Sequence, residues 1–247
     1  DDLRERMTKY VINPTVNVRL ANFKVTVLGE VNRQGDYTIS NGQATILNAL
    51  GLAGDLTVYG KREEVLAVLN QAIQNFGRID VAVNCAGIAG TVSKPIHEYP
   101  EEDWINQIQI NLIGTWYCVK FQIEQMLKQG GGNIVCVSSA AGLVGQPENS
   151  PYAASKHGVN GLVKSAAIEY ATKNIRVNAI CPTAIETPMI MQGRRKLAEN
   201  PEALQQAINF QRMKRMGQPQ EVADVALWLC SQESSFITGH CMAVDGG

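Results

Sequence analysis

The sequence predicts an α/β protein built on a parallel sheet, preceded by a smaller α+β segment. Two mostly apolar stretches, Ile79–Asn84 and Asn133–Val137, have the composition of strands covered on both faces. Before each of them lies a stretch with apolar residues at helical spacing, Glu63–Phe76 and Glu101–Lys128. Strands that alternate with helices of this length indicate βαβ units and therefore a parallel sheet.

Composition and charge exclude several classes of function. The chain has 247 residues, of which 45% are hydrophobic, enough for one large or two small domains. Its formal net charge is −1 and it has no long basic run, so we expect no nucleic-acid partner and no anionic-membrane surface. No apolar run approaches the ~20 residues of a membrane span, and the charged opening residues do not form a signal peptide.

The cysteines and histidines show no metal-binding pattern. No two cysteines form a CxxC pair and the three histidines are scattered, so we expect no metal site. Most of the cysteines lie in apolar strands or helices, where Cys packs as a small hydrophobic residue. This usage predicts a reducing, cytoplasmic compartment. The six are Cys85, Cys118, Cys136, Cys181, Cys230 and Cys241.

The stretch from Ser150 to Lys156 predicts an acid/base pair. Ser150 and Pro151 fit the N-cap and first position of a helix. Tyr152 and Lys156 are four residues apart and share one face of that helix. A neighbouring ammonium stabilises a phenolate, so this Tyr could exchange a proton near neutral pH. Alone, such a pair more often marks a solvated helix face, and its neighbours must decide.

Four further motifs accompany this pair in a specific order. They are Val83-Asn84-Cys85-Ala86-Gly87, Asn111-Leu112-Ile113-Gly114, Arg176-Val177-Asn178-Ala179-Ile180-Cys181-Pro182 and Val244-Asp245-Gly246-Gly247. In this spacing they resemble the short-chain dehydrogenase/reductase family over about residues 63–247. The resemblance implies the C-terminal part of a Rossmann-type doubly wound parallel sheet. It also implies hydride transfer between NAD or NADP and a small-molecule secondary alcohol or ketone, in a homo-oligomer of two or four chains.

The resemblance implies four catalytic residues, Asn111, Ser139, Tyr152 and Lys156. Tyr152 would exchange the proton with the substrate oxygen, and Lys156 would assist it and bind the nicotinamide ribose. Ser139 would orient the substrate carbonyl. Asn111 would sit at a helix kink and hold a water that relays protons to Lys156. The alternatives are a tolerated polar residue for Asn111 and a turn or cap role for Ser138 or Ser139.

Further residues are implied at the cofactor and over the substrate. The cofactor contacts would be made by Asn84, Ala86, Gly87, Tyr152, Lys156, Pro182, Ile185 and Thr187. Cys85 stands where the family usually has Asn, and Thr183 stands where it usually has Gly. A Cβ at Thr183 could crowd the nicotinamide or forbid a positive φ. Met189–Met216 would cover the substrate, although its methionines could equally fill the core.

Residues 1–62 do not show the expected start of such an enzyme. Three glycines spaced four and then two apart would place the cofactor pyrophosphate at a helix N-terminus, and no three early glycines have this spacing. Strands at Val16–Leu20, Lys24–Gly29, Tyr37–Ser40 and Leu56–Tyr59 instead lie before and after a short helix at Thr45–Leu50, which indicates an α+β module. Together with Leu52-Ala53-Gly54-Asp55-Leu56, this segment resembles a soluble-ligand-binding β-grasp domain of polysaccharide export proteins; a generic small α+β domain is the alternative.

The chain is therefore predicted to be a chimera, joined near Lys61–Val65. Its domains would be residues 1–62, β-grasp-like, and residues 63–247, catalytic. Three functions remain open: an oxidoreductase with weakened cofactor binding, a glycan-binding or assembly module, and an inactive hybrid. The substrate and the choice between NAD and NADP cannot be read from the residues.

Overall fold

A computed structural model describes residues 23–27, 35–39, 62–191 and 197–247. Near the N-terminus, β1 (Phe23–Val27) pairs antiparallel with β2 (Gly35–Ile39), with Phe23 opposite Ile39. This hairpin confirms two of the predicted N-terminal strands to within two residues at their starts. The other N-terminal predictions, including the β-grasp arrangement, fall outside the described residues. The joint predicted near Lys61–Val65 coincides with the start of the next described helix and stays a prediction.

The main sheet has four parallel strands in the order β3-β4-β5-β6. Their bounds are β3 Val81–Asn84, β4 Gly132–Val137, β5 Ile175–Pro182 and β6 Cys241–Val244. The sequence predicted a turn at Cys181–Thr183, and this was wrong for its first two residues. Cys181 and Pro182 pair with Ala243 and Val244 of β6, because a proline without an N–H donor is tolerated at the end of a strand.

Seven α-helices surround this sheet in the described part of the chain. They are α1 Arg62–Phe76, α2 Glu101–Ile108, α3 Thr115–Gln129, α4 Ser150–Tyr170, α5 Pro188–Met191, α6 Pro201–Phe210 and α7 Pro219–Cys230. A π-helical segment, Gln109–Gly114, joins α2 to α3, so the long helix predicted from Glu101 is interrupted at its centre. Gly77 and Gly130 follow α1 and α3 with φ of 78° and 88°, in the left-handed conformation that ends helices.

The start of α4 differs from the prediction by one residue. Ser150 is the first helical residue, and Asn149 occupies the N-cap position. Asn and Ser are both common at the N-cap, and Pro151 is acceptable at the first or the second helical position. The local sequence therefore could not decide which of the two residues is the N-cap. The Asn149 side chain makes no capping hydrogen bond.

Apolar side chains cover both faces of the sheet. On one face, α3 and α4 pack against the strands through residues that include Val119, Met126 and Val163. On the other face, Leu229 of α7 packs against Val135 and its neighbours. Side chains on both faces are fully buried, which explains why the strands are apolar throughout and confirms the predicted α/β architecture.

The six cysteines lie in or beside the core, as their apolar sequence neighbours predicted. All six are free, and Cys136 and Cys181 are buried in the central strands. Burial raises the pKa of the Cys136 thiol to about 12 and that of Cys85 to about 11, so both stay neutral at physiological pH. Across the described ranges, no three His, Cys, Asp or Glu side chains gather in a metal-binding group. Nor does any helix within those ranges have the length and hydropathy to cross a membrane.

Candidate functional site

The carboxyl ends of β3, β4 and β5 form one edge of the sheet. Because the strands are parallel, Asn84, Val137 and Pro182 end their strands at this edge. In open α/β sheets, ligands bind outside such an edge. The predicted site residues lie at these strand ends, in the segments that follow them, and on the helices packed beside them.

Tyr152 and Lys156 form the centre of the site. They stand one turn apart on α4, and the Lys156 Nζ lies 5.6 Å from the centroid of the Tyr152 ring. Lys156 is only 5% exposed, and its Nζ donates a hydrogen bond of 2.9 Å to the carbonyl oxygen of Val137 at the end of β4. A buried ammonium needs such a partner. Lys156 therefore does not lie on a solvent-exposed face of the helix, as the alternative required. Its side chain is held beside the Tyr152 ring.

Asn111 lies in the π-helical segment and is fully buried. Its Oδ1 accepts from the backbone N–H of Ile88 at 2.8 Å, and its Nδ2 donates to the Ile88 carbonyl at 2.9 Å. The same Nδ2 donates to the Ser155 Oγ at 3.2 Å. Asn111 thereby ties the loop after β3 to α4. The backbone departs from α-helical geometry at this residue, and its hydrogen bonds give Asn111 a structural role beyond that of a tolerated polar residue. The kink and the water relay stay predictions.

The loop after β3 passes directly beside these groups. A Cβ at Gly87 would lie 3.2 Å from the Asn111 Oδ1 and 3.4 Å from the Lys156 Nζ. A contact at the shorter of these distances is tighter than nine in ten real Cβ contacts, so the Asn111 side chain would have to shift. Gly87 therefore allows the backbone to approach the site closely, in a space that a side chain would fill. Ala86, its neighbour, is exposed.

The two serines after β4 have different partners. The Ser138 Oγ donates to the Lys156 carbonyl at 3.1 Å, which ties the strand end to α4. The Ser139 Oγ accepts from the backbone N–H of Ala141 at 3.2 Å and donates a long bond of 3.4 Å to the Pro182 carbonyl. The cap role weighed for Ser139 is thus present in the structure. A hydroxyl with a weak donor bond can still be redirected to a ligand oxygen.

Asn84 joins the sheet to α3. Its side-chain amide pairs reciprocally with that of Gln122, through hydrogen bonds of 3.0 Å and 2.7 Å. The Asn84 Nδ2 also lies 3.6 Å from the Cys136 Sγ on the adjacent strand. These contacts tie the end of β3 to α3 and to the adjacent strand β4. The sequence did not single out Gln122, because its partner lies 38 residues away.

The segment after β5 is pinned by side chains and by backbone pairing. The Thr183 Oγ1 lies within hydrogen-bond distance of two acceptors, the Gln211 Oε1 at 3.0 Å and the Asp245 carbonyl at 3.2 Å, and its single proton can be donated to either. Among the described residues, Thr183 does not have a positive φ. The backbone conformation that would have required glycine at this position is therefore not adopted. Ile185 is buried and bridges to Gly217, and the Thr187 Oγ1 lies 3.3 Å from the Ile185 carbonyl.

Comparison with known proteins places the chain in a family. A family model described as enoyl-(acyl carrier protein) reductase matches residues 34–247. A 3-oxoacyl-[acyl-carrier-protein] reductase of Thermotoga maritima is 44% identical over 186 residues, which cover 75% of this chain and 72% of the relative. The chain belongs to the short-chain dehydrogenase/reductase family. It is accordingly an oxidoreductase, as its motifs predicted, and the family match begins within the predicted N-terminal segment.

Other members of the short-chain dehydrogenase/reductase family agree in sequence and in fold. A cyclohexanol dehydrogenase of Acinetobacter sp. is 41% identical over 184 residues, covering 74% of this chain and 69% of the relative. The crystal structure of levodione reductase superposes with a TM-score of 0.73 at 33% identity, over 81% of this chain and 83% of that one. An NAD+-bound xylitol dehydrogenase gives a TM-score of 0.72 at 29% identity, over 81% and 82%. These proteins lend no support to the glycan-binding alternative.

Proposed function

We propose that this chain transfers hydride between NAD or NADP and a small secondary alcohol or ketone, with Tyr152 as the acid/base. The observation that carries this proposal is the buried Lys156 ammonium, fixed 5.6 Å from the Tyr152 ring at the carboxyl edge of the sheet. Family members support it, since one solved relative is NAD+-bound and another, ElxO, has NADP bound. Their names include alcohol dehydrogenases and ketone reductases.

The bound nicotinamide would supply or accept the hydride at its C4 carbon. In the direction of reduction, the Tyr152 hydroxyl gives its proton to the carbonyl oxygen as the hydride reaches the carbon. In oxidation, the same Tyr152 oxygen would accept the proton of the substrate hydroxyl, with the Lys156 Nζ held beside the ring. The Ser139 hydroxyl, released from its long bond to Pro182, donates to the same substrate oxygen.

Asn111 would support proton return through its backbone carbonyl. That oxygen accepts from the Thr115 Oγ1 at 2.7 Å. A carbonyl oxygen has two lone pairs, so a water can occupy the second and hydrogen-bond toward Lys156. The side chain of Asn111 hydrogen-bonds Ile88 and Ser155 and so holds the backbone carbonyl in place.

The residues at the strand ends fit the nicotinamide and ribose part of the cofactor. The backbone space at Gly87, which a Cβ would fill, adjoins both Asn111 and Lys156. The proposed cofactor contacts are Asn84, Ala86, Gly87, Tyr152, Lys156, Pro182, Ile185 and Thr187. The phosphate-binding part falls outside the described residues. The sequence lacks the usual glycine spacing there, so we propose weak binding and a domain division near residue 62.

Isotope transfer tests the proposed reaction directly. With NADH or NADPH that carries deuterium at both C4 positions, and with cyclic ketones and a β-ketoacyl thioester as substrates, we expect deuterium at the new carbinol carbon. High cofactor concentrations are needed, because each missing charge-assisted hydrogen bond weakens binding by ~1.5–3 kcal/mol. Mass spectrometry of the products gives the result. Absence of label from every ketone, at cofactor concentrations shown by titration to saturate the protein, would contradict the proposal.

We also propose that the chain forms homo-oligomers in a reducing, cytoplasmic compartment. Exposed apolar side chains on the outer helices, including Trp116 and Ile168, support self-association, and the six free thiols support the compartment. We expect sedimentation velocity to show a dimer or tetramer that Ile168→Glu shifts toward monomer. Ile96→Glu, an equally exposed apolar position on another segment, is the control. A wild-type monomer at all concentrations would contradict this.

A further inference from the structure

The N-cap residue of the catalytic helix does not cap it. An Asn at this position usually accepts a hydrogen bond from a backbone N–H in the first turn. Asn149 makes no such bond and is only 1% exposed. Its Oδ1 instead accepts from the Tyr99 hydroxyl at 3.2 Å, and its Nδ2 donates to the Ala89 carbonyl at 3.1 Å. The side chain therefore joins the start of α4 to distant segments.

Those contacts belong to a buried polar cluster, which we call the Tyr99 cluster: Tyr99, Gln107 and Asn149. The Gln107 Nε2 donates to the Tyr99 hydroxyl oxygen at 2.9 Å, and Gln107 is 1% exposed. Gly90, with φ of 76°, packs so closely that a Cβ there would lie 2.6 Å from the Gln107 Nε2. The loop after β3, the turn at Tyr99, α2 and α4 therefore meet at this cluster.

The cluster adjoins the proposed site on both sides. Asn149 precedes Tyr152 by three residues on the same chain segment. Ala89 follows Gly87 by two residues, in the loop that Asn111 holds through Ile88. One side chain, Asn149, therefore spans the segment that carries the acid/base and the loop at which the cofactor is proposed to bind.

The chemistry of the cluster suits it to fixing a geometry. Each amide has a defined donor end and acceptor end, and the phenol has one donor proton. Within the described residues the Gln107 Oε1 has no hydrogen-bond partner, whereas its Nε2, the Tyr99 hydroxyl and the Asn149 amide are paired. Because any other arrangement of these three side chains would leave more buried polar atoms unpaired, few are acceptable. An apolar contact of the same size would permit sliding between the loop and the helix. The hydrogen-bonded cluster does not.

We infer that Tyr99, Gln107 and Asn149 are positioning residues that hold the Tyr152 end of α4 against the loop of residues 87–92. This inference rests on the proposed function, because what is positioned is the acid/base relative to the cofactor. The three residues touch neither substrate nor reacting atoms. They act through Tyr152 and the Gly87 backbone. A displacement of ~1 Å between reacting groups lowers a rate on the order of 10²-fold.

The test is Tyr99→Phe, which removes one buried hydroxyl and keeps the ring. We expect kcat to fall ~10–100-fold while the KM of the ketone changes less than about threefold. Independently of activity, we expect backbone amides in residues 87–92 and 149–158 to exchange hydrogen about tenfold faster, because local opening becomes easier. Asn149→Ala should give the same pattern. The double variant should lose little more than either single variant, as expected of residues that act as a unit.

Two controls separate positioning from general stability. Tyr170→Phe makes the same change at the other end of α4. Ser234→Ala removes a buried hydroxyl that bonds the Trp228, Leu229 and Ser231 carbonyls on the far side of the sheet. We expect Ser234→Ala to lower the melting temperature with kcat and the exchange of residues 87–92 unchanged.

Two results would overturn the inference. One is a Tyr99→Phe protein that resembles Ser234→Ala, less stable but with unchanged kcat and unchanged exchange in both segments. The other is additive loss of rate in the double variant. If the wild-type chain transfers no hydride, the proposed function fails, and the exchange measurement alone decides whether the cluster fixes the loop to the helix.

Discussion

Tyr152→Phe should lower kcat/KM by at least ~10³-fold and leave the fold intact. General acid/base catalysis contributes ~10²–10⁴-fold, and the phenol has no substitute at this position. The phenyl ring retains the contact with the Lys156 ammonium, whose own hydrogen bond goes to the Val137 carbonyl and not to Tyr152. Binding of substrate and cofactor should therefore change little. Steady-state kinetics with the best ketone from the isotope experiment gives the comparison.

Tyr117→Phe is the matched control for this change. Tyr117 lies on α3, where its ring stacks on Phe121 with centroids 6.3 Å apart. Loss of its hydroxyl should leave the rate within about twofold of wild type. A Tyr152→Phe protein that retained a tenth or more of wild-type activity would show that another group supplies the proton.

Arg176→Met should give the largest loss of stability, about 3 kcal/mol. The Arg176 guanidinium donates to the Ile237 and Leu229 carbonyls, each at 2.8 Å, and to the Ser231 carbonyl at 3.0 Å. Methionine fills part of the volume but removes three hydrogen bonds from a charged donor, each worth ~1.5–3 kcal/mol. The three carbonyls keep neutral donors on Asn178 and Ser234, which limits the expected loss. Because the bonds join β5 to the segment before β6, we expect the urea unfolding midpoint to fall sharply.

Arg78→Met provides the comparison for this variant. Arg78 forms an ion pair with Asp80 at 2.6 Å, and both side chains are more than half exposed. Exposed pairs contribute roughly 0–1 kcal/mol, so this variant should unfold close to wild type. Equal destabilisation by the two substitutions would mean that the carbonyl contacts of Arg176 contribute no more than a surface charge does.

The sequence predicted the parts of this molecule that depend on local pattern. Apolar composition located β3 and β4, and glycines located the ends of α1 and α3. The motifs located Tyr152 and Lys156, because four residues on a helix bring two side chains together wherever the helix packs. The position of Asn111 was predicted by resemblance, and the structure explains it by a π-helical segment that no propensity would indicate.

The parts that escaped prediction depend on contacts between distant residues. Asn149 and Ser150 are equally good N-cap types, and the choice between them follows from Tyr99, 50 residues earlier. The extension of β5 through Pro182 required pairing with β6, which begins at Cys241. Gln107 looks like an ordinary helical polar residue until the fold buries it against Gly90.

The π-helical segment between α2 and α3 has a consequence for how the chain tolerates changes in length. Each residue of an α-helix advances the side-chain direction by about 100°. A π-helical turn accommodates one additional residue and leaves the α-helices on either side regular. Deleting one residue from 109–114 would restore regular winding and leave the two halves in phase. The change would remove the wide turn from which the Asn111 side chain reaches Ile88 and Ser155, so the helix would survive while the loop after β3 lost its attachment.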